Sequence, residues 1–214
     1  MPVTDDERLE LPLLTDQLTR MRGMLYGYSD LFFRRIRDWA LVSIGLLVIA
    51  WSGIAPSAAA IVPFLVPFAF LETGYLFFYT VFARRYAERL ERRINRLVGA
   101  DVLIAHRLEA AYFYPPDAHK VAALSLGNPA GLTSVSTIGY TVGAGLLWLA
   151  GFSGLLSVAD QARGLGAVLV PGALLWTVAI GGYLVWTFWT RHDEERLLAA
   201  LDRWEPGAEA SPGV

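Results

Sequence analysis

The chain has no cysteine among its 214 residues, which excludes disulfides, thiolate metal ligands and a cysteine nucleophile. Lysine is nearly absent as well, with Lys120 the only one. The remaining basic positions are arginine, a bias we read as GC-rich bacterial coding. Neither charge sign dominates: the net charge is −2, so there is no basic field to attract nucleic acid. His106, His119 and His192 have no metal-ligand spacing and read as surface residues, so no metal or cofactor is expected. A P-loop, GxSxG, HExxH and paired acids at catalytic spacing are all missing, and no enzymatic activity is expected. No cleavable signal peptide is expected, because the first ~37 residues are polar or mixed and the first apolar block is too long and too late. That block is expected to act as an uncleaved signal anchor.

What the chain does have is apolar length. It is 55% hydrophobic and 13% aromatic, with seven tryptophans, and the apolar residues fall in long blocks rather than stripes. Four blocks approach the roughly 20 residues that a spanning helix needs: about Trp39 to Ile54, Ala58 to Ala83, Ser134 to Val158 and Leu165 to Trp189. The first is short, and Pro56 ends it in a tight turn. The expected fold is therefore an all-α polytopic membrane protein of four transmembrane helices with amphipathic cytoplasmic extensions. Its organisation reads as an N-terminal segment (1–37), a first hairpin (38–83), a cytoplasmic helix and loop (84–132), a second hairpin (133–190) and a C-terminal helix and tail (191–214).

Orientation follows from the arginines. They cluster before the first span, after the second and after the fourth, whereas the opposite side holds only Arg163 beside Asp160. Both termini and the middle segment are expected on the cytoplasmic side of a bacterial inner membrane. Trp39, Trp51, Trp186 and Trp189 fall at the expected interfaces as an aromatic belt.

The charged segments carry patterns of their own. Leu18, Met21, Leu25, Tyr28, Phe32 and Ile36 recur every three or four residues, as in an amphipathic helix on a membrane surface or a partner. After the second span, one helix is expected to run to about Tyr114, with Leu90, Ile94, Leu97, Ile104 and Leu108 as its stripe and Glu88–Arg92 as an i,i+4 pair. Pro115 and Pro116 would stop it. A last amphipathic helix is expected over 190–204.

The residue that invites a functional reading is Glu72. It lies ~21 Å along its helix from Ala58 and ~17 Å from Ala83, close to mid-span, where an ionisable group is costly. Tyr75 and Tyr79 follow on the same face toward the cytoplasm, so Glu72, Tyr75 and Tyr79 are candidates for a pore or proton path. The plainer reading has Glu72 hydrogen-bonded to a neighbouring helix. Pro63 and Pro67 each remove a backbone donor, freeing the carbonyls of Ala59 and Pro63. Gly139 and Gly143, with Gly172 and Gly182 in the fourth span, present small faces for packing within the chain or between copies. Ser134, Ser136, Thr137, Tyr140 and Thr141 make one end of the third span polar. Arg84, Arg85, Arg89, Arg92 and Arg93 are candidates for lipid head-group contact, although interspersed acids favour a topology role.

The leading expectation is an oligomeric channel or proton-linked transport protein with Glu72 as its intramembrane charge. Its expected partners are membrane lipids and further copies of the chain. The alternative is a non-transporting adaptor or scaffold that docks a cytoplasmic protein or lipids through its amphipathic helices.

Overall fold

The computed structural model describes residues 5–108, 120–121, 124–125, 131–190 and 192–203. Among the described residues the fold is carried by the α-helices α1 (Asp5–Trp51), α2 (Val62–Val98), α3 (Gly131–Gln161), α4 (Arg163–Thr190) and α5 (His192–Arg203). The 3₁₀ helix Pro56–Ile61 joins α1 to α2. The only extended pieces among the described residues are two-residue strands, Lys120–Val121 and Leu124–Ser125, paired antiparallel. In class the chain is all-α.

The dominant feature is a long antiparallel hairpin of α1 and α2. Between Asp38 and Glu72 there is no charged residue, and the turn falls at the centre of that run. Pro56 opens the 3₁₀ turn. Pro63 has no N–H to offer the Ala59 carbonyl, and the N–H of Val62 takes it instead in the tighter 3₁₀ geometry. α1 continues without a break from the amphipathic segment into the apolar block, at 47 residues or ~70 Å. The start of its stripe packs within the chain. Leu18 packs into a core with Ala87, Leu90 and Ile94, flanked by Leu11, Leu14 and Met21. Further along, Leu47 is buried with Ala59, Val62 and Val66.

Among the described residues, three helices are long and apolar enough to cross a membrane, within Pro56–Val98, Ile138–Gln161 and Gly164–Thr187. The expected span from Trp39 to Ile54 is the end of α1 rather than a helix of its own. Its apolar helical part, Trp39 to Trp51, is ~20 Å long, short for a lone span, but it lies along α2.

α3 and α4 attach to the hairpin at its apolar end. A Cβ added at Gly154 would meet Ala59 Cβ at 2.4 Å, and one at Gly151 would meet Val62 Cβ at 2.5 Å. The glycines packed closely against the hairpin are therefore Gly151 and Gly154. Around Gly139, Gly143, Gly172 and Gly182 there is nothing within 4 Å of such a Cβ, so those small faces are open.

The helix expected to reach Tyr114 stops at Val98. Gly99 adopts φ 71, and its N–H bonds the carbonyls of Asn95 and Arg96, an αL cap that suits glycine. The expected stripe breaks accordingly: Leu90 and Ile94 are buried, while Ile104 and Leu108 are exposed. Residues 109–114, Pro115, Pro116 and the tail from 204 lie outside the described residues, as do the side chains of Ser134, Ser136 and Thr137.

The packing predicts unequal responses to the same change. Gly154→Val should lower stability by about 1–3 kcal/mol through overpacking, whereas Gly27→Val, with nothing within 4 Å of its Cβ position, should be near neutral. Thermal unfolding followed by helicity in detergent checks this, and equal losses at both sites would contradict the packing described.

Candidate functional site

Glu72 does not point into an empty lumen. Its Oε1 faces Arg35 Nε at 3.3 Å, and its Oε2 accepts a hydrogen bond from Trp39 Nε1. Both partners come from α1, one turn apart. The Trp39 ring in turn meets Phe68 edge-on at 5.6 Å between centroids. Because α1 is unbroken, it brings an arginine from outside the apolar block onto the acid. The carboxylate is partly exposed, at 28%, and Arg35 more so, at 46%.

The neighbouring helices fix the level of this pair. Trp176 Nε1 donates to the Phe64 carbonyl at 3.1 Å, and Leu184 abuts Gly74, so α4 runs parallel to α2. The contacts of Gly151 with Val62 and of Gly154 with Ala59 make α3 antiparallel. Carried along, these registers set Glu72 level with about Thr141 and Tyr183. From Gly164 to that level is ~28 Å, and from there to Thr190, the last residue of α4, ~10 Å. Glu72 therefore stands toward one end of the α4 helix, not at its middle. At the same level Tyr75, Tyr140, Tyr183 and Trp186 are exposed, as in an interfacial aromatic belt.

Tyr75 and Tyr79 come together, but not with Glu72. Their hydroxyls are 2.7 Å apart, and Tyr79 stacks on Tyr28 of α1 at 4.9 Å. Tyr75 turns outward, 59% exposed. The tyrosines form a cluster beside the acid rather than a bonded chain leading from it.

The arginines expected to meet lipid are largely engaged with acids. Arg93 binds Glu10 of α1 through two bonds of 3.1 Å. Arg85 reaches Glu88 at 3.1 Å, Arg92 bonds the same carboxylate, and Arg89 pairs with Asp202 of α5. Arg84 is partly buried and also engaged. The i,i+4 pair Glu88–Arg92 is present as the spacing suggested.

Sequence reasoning missed a second cluster at this charged end. Glu88 and Glu91 are buried, and His106, expected at the surface, is held between them. Its Nε2 is 2.9 Å from Glu88 Oε1, and its backbone N–H donates to Glu91 Oε2 at 3.1 Å. Arg22 of α1 pairs with Glu91 Oε1 at 2.6 Å. Asn95 clasps the returning strand of chain at both polar atoms, donating to the Leu103 carbonyl and accepting its N–H, each at 2.8 Å. Gly99 makes this fold-back possible, and the Gly99–Ala100 pair was its one signal in the sequence. No group of three or more His, Cys, Asp or Glu side chains suited to a metal occurs among the described residues.

Comparisons with protein-family models, with curated proteins and with solved structures gave no match.

The fold-back predicts a cooperative local unit. Asn95→Ala should raise hydrogen exchange roughly tenfold at the amides of Leu103 and His106 together, as for the loss of one to two buried hydrogen bonds. An unchanged His106 amide would show that the two contacts are independent.

Proposed function

We propose that this chain is a non-catalytic membrane scaffold of a bacterial inner membrane. A helical bundle in the bilayer holds a rigid two-helix stalk, formed by the charged halves of α1 and α2, in the cytoplasm. In this reading the uncharged halves of α1 and α2 cross together as one hairpin, α3 and α4 supply the other two crossings, and both termini are cytoplasmic. Copies of the chain associate through the open glycine faces of α3 and α4, which support this part of the reading.

The observation that carries the scaffold reading is the engagement of Glu72. An intramembrane acid is a functional site by default, but one held by an arginine and an indole from the adjacent helix is accounted for by packing. The stalk also has the construction of a docking element. Its inner face is closed by apolar contacts and by buried ion pairs with partners on α1, α2 and the 99–108 segment, and its outer face displays Leu13, 67% exposed.

The second reading keeps a transport role. It rests on Glu72 and Tyr75, both accessible on one side of α2, which an assembly of copies could gather around an axis. Two measurements separate the readings. A photo-crosslinking residue at Leu13 should give a discrete protein adduct in cells, and liposomes holding either the wild type or Glu72→Gln should show no ion flux. Flux abolished by Glu72→Gln, together with no adduct from Leu13, would overturn the scaffold and favour transport.

A further inference from the structure

Next to the Arg35–Glu72 pair, a shallow apolar groove of about 440 Å³ runs between three helices. It is lined by Trp39 of α1, Phe64, Leu65 and Phe68 of α2, and Trp176 of α4. Two tryptophans would ordinarily make such a surface partly polar. Here both indole N–H groups are turned to protein acceptors, Trp39 to Glu72 and Trp176 to the Phe64 carbonyl. What remains on the wall is carbon. The groove opens sideways within the apolar length of the bundle, so the matter that faces it is bilayer lipid.

Its end is chemically different. Trp39 is the last lining residue, and the acid it bonds is the one that binds Arg35. Among the described residues Arg35 meets Glu72 through Nε, which leaves its two terminal nitrogens for another oxyanion. A guanidinium edge of this kind suits a phosphodiester, which can accept two parallel hydrogen bonds. The surrounding charges balance: Arg34 pairs with Asp30, Arg37 with Asp38 and Arg35 with Glu72. There is no excess of positive charge to select a net-anionic head group. There are instead carboxylates beside the phosphate position, which a primary ammonium can reach as a hydrogen-bond donor. A quaternary ammonium has no N–H and cannot.

We propose that this groove is a binding site for a zwitterionic aminophospholipid of the surrounding bilayer. One acyl chain lies along Trp39, Leu65, Phe68 and Trp176, the phosphate is on Arg35, and the primary amine is beside Glu72 and Asp38. The site does not depend on the scaffold reading; it requires only that the spans sit in a bilayer.

Native mass spectrometry of the detergent-purified chain tests this. The chain is incubated with an equimolar mixture of phosphatidylethanolamine, phosphatidylglycerol and phosphatidylcholine bearing the same acyl chains. Retention of the ethanolamine lipid over the other two is expected. Arg35→Gln should reduce that retention about tenfold, as for the loss of charge-assisted hydrogen bonds. Leu65→Trp, which fills the groove and leaves the ion pair intact, should reduce it as well. Arg20→Gln, at the exposed pair with Asp16, should not. If Arg35→Gln loses helicity by circular dichroism, Leu65→Trp decides alone. Equal retention of the three lipids, preference for the glycerol lipid, or wild-type retention in the folded variants would overturn the proposal.

Discussion

The clasp between α1 and Glu72 is the contact on which the rest of the arrangement depends. A carboxylate in an apolar helix is unfavourable unless its charge is met and its lone pairs are filled. Arg35 meets the charge and Trp39 fills a lone pair, and both can do so only if α1 stays helical through residue 38 and lies antiparallel to α2. Once that register is set, Tyr28 falls on Tyr79, Leu18 on Leu90 and Ile94, and Glu10 on Arg93. One ion pair near the centre of the hairpin is thus consistent with every contact on either side of it.

The two halves of the hairpin are held by different physics. At the apolar end, where lipid is no worse a neighbour than leucine, close approach and shape carry the packing. Gly151 and Gly154 let α3 touch the turn, and Trp148 Nε1 bonds Thr177 across to α4 at 3.0 Å. At the charged end burial from water contributes, at roughly 1.5–3 kcal/mol for each large aliphatic side chain buried. The buried Glu88 and Glu91 impose specificity there. Each costs free energy if left unpaired, so Arg22, Arg85, Arg92 and His106 must all arrive together. That requirement ties α1 and the 99–108 segment to one register on α2.

Much of this was legible in the residues. The apolar blocks of α2, α3 and α4, the turn at Pro56 and the Glu88–Arg92 pair follow from composition and spacing. Along α2 alone the acid looks central because α2 stays apolar from Gly74 to Ala83, whereas the registers of α3 and α4 set it toward one end of their helices. The corrective signal was present: the uncharged run from Trp39 to Leu71 has its midpoint beside Pro56, so a hairpin there sets Asp38 and Glu72 side by side. The three-and-four spacing from Leu18 to Ile36 also continues in phase through Trp39, Ser43 and Leu47, which marks one helix rather than two. Which glycines pack against the hairpin is not legible for a different reason. A small-xxx-small pattern states that close approach is possible, not where a neighbour is, and Gly139 and Gly143 look the same in sequence as Gly151 and Gly154. His106 was misread for a related reason, since only the left-handed Gly99 cap returns it to α2.

In the proposed arrangement the bilayer boundary passes close to the Arg35–Glu72 pair, with the remainder of α2 in a water-facing stalk. Because the chain has no native cysteine, single cysteines can be labelled without background. The most direct measurement is a scan of single cysteines from Phe68 to Glu88, reacted with a membrane-impermeant maleimide in vesicles that expose the stalk side. Protection is expected through Phe70, with a rise in labelling within about two turns beyond Glu72. Protection that continues to Ala83 would put Glu72 at mid-depth and contradict the central claim.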